Sequence, residues 1–288
     1  MMDFTIQEYK NRLHKVQQSM QKKGIELLIS QDTANIYYLT GYDAWSFYYS
    51  QCVIIHVNAE EPICYVRAQD AGGALIKTYL KKENIVIYPE KYIHTWPNHP
   101  YDGLVELIKT KKWDKLNIGL EMDSHYFTAF CYEKLRQGLP NANLKDSERL
   151  VNWVRCIKSE TEITYMKNAA VISEKAMKTA MEVINPGVRQ CDAVAEIQSA
   201  LFKGTKEYGG EYASITTLLP TGKGTSASHL TASDVEFVSG EATIVELSGT
   251  YKRYHAPMAR TVNLGKPEKK KIDAMKATNE ALNAGISK

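Results

Sequence analysis

Along the first half of the chain the apolar positions change period repeatedly, from the three-to-four spacing of a helix to the short unbroken runs of buried strands. Tyr9, Leu13, Val16 and Met20 recur at helical spacing behind Thr5 and Glu8, which have the sequence of a capping box. This predicts an amphipathic first helix stopped by Gly24. A buried strand is predicted over 25–30 and a helical turn over 35–39, ending at Gly41. The runs 51–57 and 63–66 flank a turn and should pair as a β-hairpin. A helix over 69–82, a strand over 85–88, a helix over 101–110, a strand over 116–120 and a helix over 124–137 capped by Ser124 continue the alternation. Such alternation predicts an α/β N-terminal domain with a mixed sheet over residues 1–150.

Beyond Leu150 the pattern changes character. Ser159 and Glu162 form a second capping box, and Ile163, Met166, Ala170, Met177, Ala180 and Met181 predict a long amphipathic helix, closed by Asn185, Pro186 and Gly187. A second helix is predicted over 191–202, and a β-rich region follows. There, 243–248 and 255–263 read as strands and 249–253 as their connection. With Tyr251 and Lys252 at the centre of the turn, Glu246 falls opposite Pro257 and Ser248 opposite His255, so all four share one face. Val245, Leu247, Ala256, Met258 and Val262 fall on the other, an apolar face fit to pack on helices. One loop earlier, Gly222, Gly224 and the small residues Ser226, Ala227 and Ser228 deliver His229 from a conformationally permissive segment. A strand glutamate is usually solvated and a lone histidine usually structural. The convergence of Glu246, His255 and His229 is what marks them as a candidate catalytic set.

A second cluster lies in 42–49, where Trp45, Phe47, Tyr48 and Tyr49 crowd a loop-like segment. Four large rings exceed the needs of a local core, and they suit a pocket wall or a subunit interface. The alternative is that they cap the edge of the N-terminal sheet.

Composition alters this picture little. The 288 residues suffice for two domains, each with its own core. The apolar runs are too short to span a membrane, and Asp3 and Glu8 stand where a secretory leader would be basic and then apolar, so a cytoplasmic protein is expected. A net charge of +3 spread over the chain points to neither a nucleic-acid nor a membrane partner. Five widely spaced cysteines without a C-x-x-C pair read as reduced thiols. His94 and His99 share a loop with no nearby carboxylate or thiol partner and read as loop residues.

The segment R-C-I-K-S-E-T-E-I at 155–163, the paired helices after it and the hairpin at 245–262 resemble the creatinase and aminopeptidase P family, whose catalytic domain has the pita-bread fold. The resemblance runs the length of the chain. It implies a creatinase-type N-terminal α/β domain over 1–150 and the first half of an α+β pita-bread domain over 151–288. Metal-dependent members carry D-x-G, a second Asp eleven residues after the first, and a closing R-T. Tyr251, Tyr254, Arg260 and Thr261 match that pattern, but Glu246 stands at the first Asp and Pro257 at the second. Proline offers no side-chain ligand, so the resemblance implies neither a two-metal site nor another cofactor.

The non-peptidase members, creatinase and ectoine hydrolase, cleave C–N bonds of small guanidine or amidine compounds without metal. TGYDAWSFY at 40–48, LLPTGKGTSASHLT at 218–231 and VELSGTYKRYHAPMARTV at 245–262 are most similar to ectoine hydrolase. That likeness implies His229 as general base and acid, Glu246 as the acceptor for an amidinium, and His255 as a group that holds the substrate carboxylate or orients Glu246. It also implies a homodimer, in which Trp45, Phe47 and Tyr48 of the partner's N-terminal domain wall the site. Two other readings follow from the same family: a Xaa-Pro metallopeptidase, against which Pro257 counts, and a pita-bread shell that only binds peptides or proteins. The sequence stops just inside the helix that opens the second half of such a domain, so it is expected to be a fragment without turnover of its own.

Overall fold

The computed structural model describes residues 2–288, in two compact units that meet in sequence between Lys158 and Ser159. The first unit is an α/β layer structure. Its elements are α1 (Ile6–Lys22), β1 (Leu27–Ser30), α2 (Thr33–Thr40), β2 (Cys52–His56), β3 (Ile63–Arg67), α3 (Ala71–Lys77), β4 (Ile85–Tyr88), α4 (Pro100–Thr110), β5 (Asn117–Leu120), α5 (Ala129–Gly138), β6 (Asn143–Asp146) and α6 (Leu150–Val154). The six strands form one sheet in the order β4-β3-β2-β1-β5-β6. The sheet is mixed, because β2 pairs antiparallel with both β1 and β3 while the other pairs are parallel.

Alternation along the strands serves two cores. Leu28, Val53, Ile55, Cys64 and Val66 pack on one side of the sheet with Leu13, Val16 and Met20 of α1. Leu27, Ile29, Ile54 and Ile63 pack on the other with Leu104 and Ile108 of α4 and Leu135 of α5. With both faces covered, the strands read as continuous apolar runs.

The structure departs from the sequence reading at several boundaries. α5 starts five residues later than predicted, capped by Thr128, whose hydroxyl accepts from the Cys131 N–H at 3.3 Å. Ser124 instead closes a turn, its carbonyl accepting from Phe127 N–H. β6 escaped prediction because N-L-K-D is an edge strand with no apolar alternation. His99 is not merely a loop residue: its Nδ1 accepts from the Tyr101 N–H, and with Asp102 it forms the capping box of α4.

In the second unit α7 (Glu160–Val183) and α8 (Gln190–Lys203) pack on the hairpin of β7 (Ala242–Tyr251) and β8 (Tyr254–Asn263), and α9 (Lys269–Ile286) ends the chain. Ser159 and Glu162 make the predicted capping box. The buried stripe of α7 is Ala169, Ile172, Ser173, Ala176, Met177 and Ala180, whereas Met166, Ala170 and Met181 are exposed, so the packed face is rotated from the predicted one. The rotation puts small residues against the hairpin. At Gly249 the approach is so close that a Cβ would lie 2.3 Å from the Ala169 carbonyl oxygen and 2.6 Å from the Ser173 nitrogen. Ser173 uses the gap: its hydroxyl accepts from the Gly249 N–H at 2.7 Å and donates to the Ala256 carbonyl.

Candidate active site

The hairpin carries Glu246 and His255 on one face, as period-two alternation requires. Its register differs from the predicted one. Glu246 pairs with Ala259, Ser248 with Pro257 and Thr250 with His255, and the turn is made by Lys252 and Arg253, with φ of 50° and 62°. Two consecutive left-handed residues are what a tight two-residue hairpin turn demands. Arg253 is held there from outside. Its N–H donates to Glu211 Oε2 at 3.0 Å, its Nη1 to the Tyr212 carbonyl at 2.7 Å, and its guanidinium lies 3.9 Å from the Tyr212 ring centroid.

A turn centre displaced by one residue shifts the pairing by two, so the faces survive but the distances do not. His255 sits opposite Thr250, four residues from Glu246, or about 14 Å along the strand at roughly 3.4 Å per residue. Its ring bonds run elsewhere: Nδ1 to the Arg253 carbonyl at 3.0 Å, and Nε2 to the Ser214 N–H at 3.0 Å. Burial, with a smaller effect of the nearby Arg253 charge, pushes the His255 pKa down.

His229 reaches the same neighbourhood by the opposite edge. Leu218 bridges antiparallel to Glu246 on one side and to Thr231 on the other. The first bridge has both bonds, Leu218 N–H to the Glu246 carbonyl at 2.9 Å and Glu246 N–H to the Leu218 carbonyl at 3.0 Å. Ile244 N–H to the Pro220 carbonyl and Leu219 N–H to the Leu230 carbonyl, each at 3.0 Å, extend the ladder. The loop between is folded on itself through a 3-10 turn, Gly222–Ser226, and His229 closes it with φ of 63° and an exposed side chain. Thr231 is thus two strand spacings, about 10 Å, from Glu246, and His229 is two residues further on. The Glu246 side chain is half-buried beside this loop. The structure therefore gathers Glu246 and the His229 loop on one ladder and leaves His255 at the tip of the hairpin.

Sequence reasoning found Glu162 as a capping residue but missed its bond to the hairpin and the other groups that hold this frame. Glu162, 3% exposed, accepts from the Ser159 N–H at 2.7 Å and from the Tyr254 hydroxyl at 2.6 Å, tying the start of α7 to the hairpin. Ser214, Glu211 and Arg253 had no periodicity to reveal them. The aromatic segment, in the first unit, is a 3-10 turn, Trp45–Tyr48. Trp45 is 60% and Tyr48 64% exposed, and Phe47 stacks edge-on against Trp45, Tyr48 and Tyr126.

Residues 12–157 match the family model of the creatinase/prolidase N-terminal domain, and residues 164–288 that of metallopeptidase family M24. The chain is 42% identical over 289 aligned positions to the ectoine hydrolase of Halomonas elongata, spanning 98% of this chain and 72% of that protein. It is 23% identical to the Xaa-Pro dipeptidase of Pyrococcus furiosus, across 96% of this chain and 74% of that one. Among solved structures, the prolidase of Thermococcus sibiricus superposes with a TM-score of 0.81 at 20% identity, covering 97% of this chain and 72% of that one. The chain belongs to the creatinase/prolidase and M24 family, and its fold is an N-terminal α/β domain with a mixed sheet followed by a pita-bread domain.

The family's metallopeptidase name raises the question of metal ligands. Among the described residues no three His, Cys, Asp or Glu side chains gather as a metal-holding group. Pro257 pairs with Ser248, not with Glu246, and its side chain has no donor atom to offer. Glu246 and Pro257 therefore do not form a pair of acidic ligands on the hairpin.

Proposed function

We propose that the protein hydrolyses a C–N bond in a small cyclic amidine, ectoine in the first instance, without a metal ion. The observation that supports this reading is the pairing of Leu218 with both Thr231 and Glu246, which puts the end of the His229 loop and the Glu246 strand on one ladder. The 42% identity to an ectoine hydrolase supports the choice of substrate. Glu246 accepts hydrogen bonds from the amidinium and so favours the protonated ring, whose carbon is more electrophilic than that of a neutral amidine. His229 takes a proton from water, the hydroxide adds to that carbon, and the proton passes to the ring nitrogen as its C–N bond breaks. The ring opens to an N-acetyl-diaminobutyrate, with one water consumed. In a homodimer, Trp45, Phe47 and Tyr48 of a second copy would supply the flat apolar wall against which an amidinium stacks.

Steady-state kinetics on the full-length protein test the proposal. With ectoine as substrate, turnover should persist in chelator. His229→Ala should lower kcat roughly a hundredfold to ten-thousandfold. Glu246→Gln should raise KM as well as lower kcat, because the attraction to the cation exists before the reaction begins. The double variant should fall short of the product of the two losses. Trp45→Ala should raise KM without lowering the melting temperature. Turnover of Xaa-Pro dipeptides only after addition of a divalent metal would replace this reading with a metallopeptidase, and near-normal kcat in His229→Ala would remove the proposed base.

A further inference from the structure

We infer that His255 is a positioning residue, a clamp that holds the 211–217 segment on the hairpin tip and so keeps the Leu218 rung, with the His229 loop beyond it, beside Glu246. Its importance for turnover rests on the amidine-hydrolase reading; the clamp itself does not. A carbonyl can only accept, so the bond to Arg253 O places the ring proton on Nδ1 and leaves Nε2 as a bare acceptor. That acceptor takes the Ser214 N–H at 3.0 Å, with the Ser214 hydroxyl 3.2 Å away. The same segment is pinned upstream, where the Glu211 N–H donates to the Thr250 carbonyl at 3.1 Å and the Glu211 carboxylate accepts from the Arg253 N–H. Four residues past Ser214 it enters the ladder as Leu218, bonded in both directions to Glu246. The segment is therefore strapped to the hairpin at the tip and at the Leu218 rung, and His255 is the tip fastening that lies nearest that rung, beyond Glu211 and Tyr212.

The bond from the Ser214 N–H exists in one protonation state only, and in the other the Ser214 hydroxyl oxygen is the one acceptor left to Nε2. A second proton would turn Nε2 into a donor facing the Ser214 N–H donor. The charged and titratable groups around the ring are Arg253 and Lys252 of the turn, Glu211 and Tyr212 of the strapped segment, and Glu246 further along the same face. α7 contributes Glu162, which is engaged by Tyr254 on the opposite face. Burial and Arg253 both disfavour the cation. The clamp is closed at neutral pH and opens as pH falls through the lowered value.

Site-resolved hydrogen exchange by NMR on the full-length protein, compared at matched intrinsic rates, reads the clamp directly. Ser214 amide protection should fall at least tenfold in His255→Ala, and in the unmutated protein it should decline as His255 titrates. His255→Gln, whose side-chain oxygen can accept from the same N–H, should restore protection and abolish its pH dependence. With ectoine, His255→Ala should lower kcat about tenfold with a smaller change in KM, and His255→Gln should recover most of it. Unchanged Ser214 protection in His255→Ala overturns the inference; if that variant fails to fold, unchanged protection through the titration of the unmutated protein overturns it equally. Lost protection with undiminished kcat removes the positioning role. Absence of ectoine turnover together with the expected exchange behaviour would leave the clamp standing and remove the substrate reading.

Discussion

Several single residues carry more of this structure than their type suggests. Gly249 lies mid-strand, where its missing side chain admits the backbone of α7, so Gly249→Ala should cost about 1–3 kcal/mol in chemical denaturation. Gly285, in α9 with nothing within 4 Å, is the contrast: Gly285→Ala should be neutral or stabilise by up to about 1 kcal/mol. Glu121, 5% exposed, is surrounded by donors: Ser30 Oγ and Asn35 Nδ2 bond one oxygen at 2.6 and 2.7 Å, and the Gln31 and Asp32 N–H groups bond the other at 2.9 Å. Glu121→Gln turns an amide NH₂ toward one of these pairs and should destabilise the first unit by about 1–3 kcal/mol, read as a lower denaturation midpoint. His99 and His255 share a sign. Burial lowers both pKa values, so each stabilises its unit above the ordinary histidine range and that contribution is lost as pH falls through the lowered folded value. A melting temperature that is level above neutral pH and drops below about pH 6.5 is the expected profile, flattened on its acid side in His99→Asn.

Among the elements, those that alternate cleanly were legible from residues alone. The hairpin of β2 and β3, the strand β4 and the capping box of α7 stand where the spacing of Ile63, Ile85 and Ser159 puts them. What was not legible depends on partners distant in sequence. Period-two alternation assigns faces to β7 and β8 but cannot tell a register from one displaced by two residues, since both present the same side chains inward. The choice is made by Glu211 and Tyr212, which hold Arg253 in the turn, and by Ser173, which touches Gly249 and Ala256 together. In the same way the exposure of Met166 and Met181 could not be read from α7, whose packed side is selected by the flatness of Ala169, Ser173 and Ala176 against the hairpin. Of the candidate site, Glu246 and the His229 loop were legible as polar residues in β-patterned sequence, while the place of His255 was not, because it turns on that register.

At the scale of the whole molecule, the chemistry of the five thiols divides by burial. Cys52, Cys64 and Cys131 lie inside the first unit, and burial pushes the Cys64 pKa up to about 12 and raises the other two. Cys156 is exposed and Cys191 partly so. A native-state thiol titration should therefore register two fast groups of five, Cys156 ahead of Cys191, with the remaining three appearing on unfolding. The division of the chain into two compact units also means that denaturation need not be two-state, and the variants at Glu121 and Gly249 should each shift the transition of their own unit. The Ser173 hydroxyl has one more consequence. Because it grips both strands of the hairpin at a single rung, it acts as the zero of a ruler: Glu246 stands three residues, roughly 10 Å, from Gly249 along a strand that cannot slide. Residues inserted at the Lys252 and Arg253 tip would lengthen the free end and leave that measure untouched, whereas a single residue inserted between Glu246 and Gly249 would turn the carboxylate to the far side of the sheet.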